Sequence, residues 1–118
     1  MRHPRYDTQP GCAVEATLEV IGGKWKGVLL YHLLQQTMRF GELRRRLPDV
    51  TQRMLTLQLR ELEHAGLIKR EVYAQVPPRV EYSLTDLGKT LEPMILMMRN
   101  WGQIYLSRAR PVELNPDV

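Results

Sequence analysis

The sequence has too few residues of several types to belong to classes of protein that depend on them. A single cysteine, Cys12, excludes a framework of disulfides within the chain. The histidines, His3, His32 and His64, lie too far apart for a zinc site. The longest apolar run, residues 28–34, is only seven residues long and contains His32, so it is too short to span a bilayer. The beginning of the chain lacks a signal-peptide core. We therefore expect a cytoplasmic protein without membrane contact, metal or cofactor.

What remains is the composition of one globular domain. The 118 residues are 43% hydrophobic and 25% charged, which is enough for a core that needs no disulfide or metal. The chain has no Ser/His/Asp or Cys/His arrangement and no glycine-rich phosphate-binding motif. We expect that the protein is not an enzyme.

Positive charge is concentrated in the centre of the chain. Residues 39–70 contain eight basic and four acidic residues, whereas the rest of the chain contains nine of each. A basic region on a small domain indicates a polyanionic partner, most simply nucleic acid. From charge alone, a solvated basic face is an equally good interpretation.

The first third of the chain predicts an arm and two helices. Residues 1–11 contain two prolines and no apolar period, which predicts a flexible arm. The next segment has apolar residues at helical spacing, namely Val14, Leu18 and Ile21, and it ends at Gly22-Gly23. A second helix is predicted over residues 24–35. Its expected buried residues are Trp25, Val28, Leu29 and Leu33.

Two further helices with a turn between them are predicted over residues 40–66. Apolar residues of the first share one face: Phe40, Leu43 and Leu47. Pro48 ends this helix, and Thr51 is a suitable N-cap for the next one. Apolar residues of this fourth helix also share one face: Leu55, Leu59 and Leu62. Gly66 supplies its C-terminal end.

A β-hairpin is predicted to follow. Residues 67–73 and 80–84 have β-type patterns, and Pro77-Pro78 marks an exposed loop between them. Arg79 makes the expected tip basic. A helix-turn-helix followed by a hairpin is a winged helix, so the predicted fold is mainly α with a small β-hairpin wing (α+β).

The fourth helix has a polar outer face suited to the major groove of DNA. At about 100° per residue, Arg53, Thr56 and Arg60 lie opposite the leucines. Thr51 and Gln52 join them at the first turn. Gln pairs with adenine, Arg pairs with guanine, and Thr contacts a phosphate or a thymine methyl group.

We therefore predict that Gln52, Arg53 and Thr56 contact base edges. Three further arginines are predicted to contact phosphates: Arg44, Arg45 and Arg79. Two alternatives remain open: Gln52 and Arg53 as ordinary exposed residues, and a winged-helix protein-interaction module without DNA binding. Such a module favours exposed apolar residues on this helix, where only Leu57 fits.

The last helix, predicted from the cap Thr85 to Ser107, carries an apolar seam. Its residues are spaced 4, 3, 4, 3 and 4 apart: Leu87, Leu91, Met94, Met98, Trp101 and Tyr105. The seam predicts packing against a second copy of the chain, the alternative being burial within its own domain. Pro93 predicts a kink or restart near Glu92. Residues 111–118 are expected to be disordered.

Four blocks of sequence carry a resemblance to a known family. They are CAVEATL with IGGKWK from Cys12, RFGELRR from Arg39, QRMLTLQLREL from Gln52 and VPPRVEYSLT from Val76. In this order they resemble the HxlR family of bacterial transcription regulators, with a predicted domain over residues 12–110. The resemblance implies a homodimeric winged-helix protein, related to the MarR group, that binds pseudo-palindromic operator DNA. It implies dimerisation through the terminal helices, here residues 85–107 at the C-terminal end. The mode of action is left open between repressor and activator, and we expect a repressor.

The resemblance also makes Cys12 a candidate sensor. Some members of the family respond to oxidants or electrophiles through a cysteine near the N-terminus, and Cys12 occupies that position. The resemblance therefore also implies a small-molecule or electrophile effector as a candidate partner. Against this, Ala13 replaces the usual proline, and Glu15 opposes thiolate formation. The simpler alternative is that Cys12 is a small buried apolar residue.

Overall fold

The computed structural model describes residues 10–113, which form six α-helices and three β-strands. In chain order they are α1 (Pro10–Ile21), α2 (Lys26–Gln35), β1 (Met38–Arg39), α3 (Phe40–Arg46), α4 (Gln52–His64), β2 (Ile68–Tyr73), β3 (Arg79–Leu84), α5 (Asp86–Lys89) and α6 (Glu92–Glu113). The predicted helix-turn-helix and hairpin are thus present. Within residues 10–113, no helix combines the length and the apolar character needed to cross a membrane.

The core lies between α2, α3, α4 and the sheet. Its most deeply buried side chains are Leu29, Leu30, Met38, Leu43, Leu55, Leu59, Leu62 and Ile68. The prediction for α3 and α4 is confirmed. In α2, Val28 is exposed although burial was predicted, because Leu29, Leu30 and Leu33 form the core-facing side of the helix. Trp25 is half-buried against the core and precedes α2, which begins two residues later than predicted.

The α4 helix ends in a hydrogen-bonded Schellman motif. Gly66 has a φ of +82°, a conformation in which a side chain is strained. Its backbone N–H donates to Glu63 O at 3.0 Å, and Leu67 N–H donates to Leu62 O at 3.0 Å. This confirms Gly66 as the end of the helix and turns the chain directly into β2.

The sheet contains one strand more than the predicted hairpin. β2 and β3 are antiparallel, with Ile68 opposite Leu84 and Tyr73 opposite Arg79. β1 adds to the other side of β3, giving the order β1-β3-β2. A two-residue strand is too short to show the alternation from which strands are predicted. Its Met38 is nevertheless almost completely buried, and it anchors the chain before α3.

The last helical segment is divided in two, as the proline predicted. Thr85 caps α5 by accepting from Gly88 N–H at 3.0 Å. Gly88 packs so closely on Leu67 that an added Cβ would lie 2.1 Å from its carbonyl oxygen. Pro93 is the second residue of α6, where a helix does not require its missing N–H.

Both ends of the described chain are more helical than predicted. α1 begins at Pro10, inside the segment expected to be a flexible arm. α6 continues past Ser107 to Glu113, so residues 111–113 are helical and not disordered. The remaining predictions for the arm and the tail, on residues 1–9 and 114–118, lie outside the described residues.

His32 on α2 predicts a pH-dependent stability. Burial, assisted by the positive charge of Arg46, lowers the pKa of His32. As the pH falls below about 6.5, the unfolded chain therefore binds a proton before the folded chain does, and the free energy of unfolding decreases. We expect His32→Gln to reduce this loss of stability between pH 7 and pH 5, measured by urea unfolding. The exposed His64 supplies the control His64→Gln, and equal pH dependence of both variants would contradict this prediction.

Candidate nucleic-acid interface

The turn between α3 and α4 is held by backbone hydrogen bonds and one buried side chain. Leu47 N–H donates to Leu43 O at 3.0 Å, and Val50 N–H donates to Leu47 O at 3.1 Å. Val50 is 3% exposed and belongs to the core. The sequence interpretation assigned it only to a turn, because an isolated apolar residue in a turn has no periodicity. Its burial fixes the position at which α4 begins.

The first turn of α4 is capped as predicted. The Thr51 hydroxyl accepts a hydrogen bond from Met54 N–H at 3.0 Å. The Thr56 hydroxyl donates to the carbonyl oxygen of Gln52 at 2.9 Å. Both contacts hold the backbone around Gln52 and Arg53. The second contact uses the hydroxyl hydrogen of Thr56, so the methyl group and the oxygen lone pairs of this residue remain for a partner.

The predicted base-contacting residues lie together on one exposed surface. A shallow groove of about 650 Å³ runs along the outer side of α4. We call it the reading surface, and its lining residues are Thr51, Gln52, Arg53, Met54, Thr56, Leu57 and Arg60. All five residues predicted on α4 and its cap are among them. The buried leucines on the opposite side hold this face outward.

Two apolar side chains on the reading surface alter the earlier comparison with a protein-interaction module. Leu57 is 46% exposed, as expected, and Met54 is 38% exposed. The sequence interpretation missed Met54 because it precedes the core leucines by one residue. Met54 also accepts a hydrogen bond at its sulfur from Gln58 Nε2 at 3.4 Å. Apolar groups at such positions suit the methyl groups of thymine as well as a protein partner.

The predicted phosphate-contacting residues of α3 lie beside the reading surface. Arg44 and Arg45 are exposed in the last turn of α3. Arg44 Nη1 donates to Gln52 Oε1 at 3.3 Å, which joins the two helices across the turn. No periodicity of the sequence indicates this contact. A separate ion pair joins α4 to α2: Lys26 Nζ lies 2.8 Å from Glu61 Oε1.

The prediction that the tip of the wing is basic is wrong. Arg79 is the first residue of β3, and the tip, residues 74–78, carries no charge. Its guanidinium group lies 4.2 Å from the centre of the Tyr73 ring, and its Nε lies 3.3 Å from Glu81 Oε2. These contacts are possible because Arg79 pairs with Tyr73 across the hairpin. The outermost apolar side chain of the tip is Val76, which is 99% exposed.

The predicted seam of the last helix is divided between the core and the surface. Leu91 and Met94 are half-buried against the core, next to the buried Ile95. The other seam residues are exposed: Leu87, Met98, Trp101 and Tyr105. Trp101 is 64% exposed and stacks on Tyr105 with 5.4 Å between the ring centres. Ile104 and Met97 extend this exposed apolar strip.

A second apolar strip lies on α1. Val14 and Leu18 are both about 60% exposed, whereas Ile21, at the end of the helix, is buried. We call the exposed apolar residues of α6 the apolar helix face. Cys12 lies in the first turn of α1 and is buried, as its simpler interpretation requires.

The fold and this surface define a winged helix-turn-helix domain, and comparisons with known proteins identify its family. Residues 20–110 match the family model described as HxlR-like helix-turn-helix. The chain is 62% identical over 107 residues to the HTH-type transcriptional regulator YdeP of Bacillus subtilis strain 168, covering 91% of this chain and 84% of YdeP. The chain therefore belongs to the HxlR-like helix-turn-helix family.

Solved structures agree in fold. The redox regulator HypR in its oxidized form is 64% identical, with a TM-score of 0.76, covering 78% of this chain and 95% of HypR. A transcriptional regulator of the MarR family from Enterococcus faecalis V583 is 40% identical, with a TM-score of 0.75, covering 89% of this chain and 96% of that protein. The expected relation to the MarR group is confirmed.

Proposed function

We propose that this protein is a transcription regulator that binds operator DNA as a homodimer. The observation that carries the proposal is the reading surface, where capped α4 presents Gln52, Arg53 and Arg60 on one exposed face. Helices of this kind insert their N-terminal residues into the major groove. The family and the names of the relatives support the same function. Operator DNA would place its action in the cytoplasm.

The residues have different roles in this proposal. Gln52, Arg53 and Thr56 contact base edges, with Thr51 and Arg60 at the two ends of the reading surface. Arg44 and Arg45 contact phosphates, which fixes the position of α4 without reading sequence. The contacts with Tyr73 and Glu81 hold the guanidinium group of Arg79 back along the hairpin. We therefore assign it a smaller share of the affinity than the arginines of α3.

The apolar helix face supports a dimer. A monomer would leave the stacked rings of Trp101 and Tyr105 in water together with Met98 and Leu87. A two-fold dimer buries equivalent surfaces of two copies, and it duplicates the reading surface. Such a dimer requires a pseudo-palindromic operator with half-sites about 34–36 Å apart, or a multiple of that distance. We infer repression as the mode of action, since a dimer over a promoter blocks access to it.

Redox control through Cys12 is a second candidate function. It is favoured by the 64% identity to HypR, a redox regulator solved in oxidized and reduced forms. Because the chain has one cysteine, a disulfide between protein thiols would join two chains. In this step hydrogen peroxide takes two electrons and two protons from the two thiols and leaves as two water molecules. The burial of Cys12 opposes this reaction unless the start of α1 opens. A small-molecule effector remains an alternative form of control.

DNA binding is tested by fluorescence anisotropy with the protein's upstream intergenic DNA and a scrambled fragment over a salt series. We expect Arg53→Ala to lose base preference at one position, at a cost of about 1–3 kcal/mol. Arg45→Ala should weaken binding to all sequences and lower the salt slope by about 1. Lys89→Ala removes an equal charge from α5 and should change neither the base preference nor the affinity. If the wild type binds neither fragment even at low salt, the protein-interaction module becomes the better interpretation.

Dimerisation is tested by sedimentation of a charge variant. Trp101→Glu places a charge in the centre of the apolar helix face, so we expect monomers at concentrations where the wild type is a dimer. The affinity for operator DNA should also fall, because a monomer contacts only one half-site whereas the dimer contacts two. Gln103→Glu adds the same charge about 200° further round α6 and should leave the dimer intact. A Trp101→Glu protein that remains dimeric would exclude this face as the interface.

Redox control predicts a separable loss in Cys12→Ser. This variant should bind DNA like the wild type but should no longer respond to peroxide or quinone. After peroxide treatment, non-reducing electrophoresis should detect a covalent dimer of the wild type only. An equal response of both proteins would end the proposal for Cys12 and leave the DNA-binding function untouched.

A further inference from the structure

The contact between Arg44 and Gln52 links a predicted phosphate-contacting residue to a predicted base-contacting residue. Arg44 lies in the last turn of α3, Gln52 is the first residue of α4, and both side chains are exposed. Arg44 Nη1 donates to Gln52 Oε1 at 3.3 Å. The chain between them is held by the buried Leu47 and Val50, so the contact joins two fixed backbones.

The chemistry of the pair decides which way the amide of Gln52 faces. A guanidinium group has five N–H donors and no acceptor, whereas a glutamine amide has an oxygen with two acceptor lone pairs and an NH₂ group with two donors. Only the oxygen can therefore face Arg44. The two N–H bonds of Nε2 are left for a partner outside the protein. The exposed end of Gln52 is thus a hydrogen-bond donor.

The backbone of Gln52 is fixed by the first turn of α4. Thr51 caps the helix through Met54 N–H, and the Thr56 hydroxyl donates to the carbonyl oxygen of Gln52 at 2.9 Å. The direction of the amide then depends on side-chain torsions alone. Arg44 restrains these torsions by holding Oε1.

We propose that Arg44 is a positioning residue that makes Gln52 select guanine over adenine at the base pair it faces. This inference rests on the proposed DNA-binding function. In the major groove, guanine presents two acceptors, N7 and O6, whereas adenine presents the acceptor N7 and the donor N6. An unrestrained glutamine pairs with adenine through both its oxygen and its nitrogen. With Oε1 turned towards Arg44, the oxygen no longer faces N6 of adenine, and the donors of Nε2 match guanine.

Bound DNA strengthens this arrangement. One donor of Arg44 contacts Gln52, and the other four remain for a phosphate group. A phosphate that holds Arg44 also holds Gln52, so the sequence-independent contact positions the sequence-reading one. Arg44 would therefore contribute to affinity and to specificity, whereas its neighbour Arg45 would contribute to affinity alone.

The experiment measures binding of the full-length protein to operators that carry each of the four base pairs at every position of one half-site. The position contacted by Gln52 is the one whose base preference disappears in Gln52→Ala. There the wild type should favour guanine over adenine by about fivefold or more. Arg44→Met should lose this preference and move towards adenine, and Arg44→Lys should retain it, since lysine also donates to Oε1. The double variant of Arg44→Met and Gln52→Ala should have the same preferences as Gln52→Ala alone.

Arg45→Met is the matched control. It removes the same charge from the same turn of α3 and should weaken all sequences equally, with the preference for guanine unchanged. If Arg44→Met behaves in this way too, Arg44 is a phosphate contact only and the proposal is wrong. A wild type that prefers adenine at this position, or has no preference there, also overturns it. A wild type that binds none of these operators, even at low salt, would instead contradict the DNA-binding function itself.

Discussion

The burial of three leucines on α4 determines the direction in which the reading surface faces. Leu55, Leu59 and Leu62 are at most 1% exposed and pack into the core beside α2. A rotation of α4 about its axis would bring leucine into water and arginine into the core. Both changes are costly, since burying a leucine contributes about 1.5–3 kcal/mol and an unpaired buried charge costs more. The reading surface is exposed because the opposite face has no other place to lie.

Much of this architecture follows from local chemistry and is predictable from the sequence. The cap at Thr51, the end of α4 at Gly66 and the break before Pro93 depend on backbone hydrogen bonds within a few residues. Strand β1 and the burial of Val50 depend on contacts with distant segments. Neither segment is long enough to contain a period. The five predicted residues of α4 and its cap came together because one helix carries them all.

The roles of individual arginines are less predictable, because a guanidinium group chooses among neighbours from other parts of the chain. Sequence alone gives Arg79 and Arg44 the same expected role. In the folded chain, Arg79 lies over Tyr73 and next to Glu81, whereas Arg44 contacts Gln52. One arginine is thereby drawn back along the hairpin and the other is held at the edge of the reading surface. Strand register and the α3–α4 turn produce this difference.

The same packing connects the apolar helix face to the reading surface. Ile95 on α6 is buried in the core with Leu29 and Leu33 of α2, while Met98, one turn further along α6, is exposed. α2 in turn holds α4 through the core and through the 2.8 Å ion pair between Lys26 and Glu61. The apolar helix face and the reading surface are therefore joined, through α2, by one continuous core.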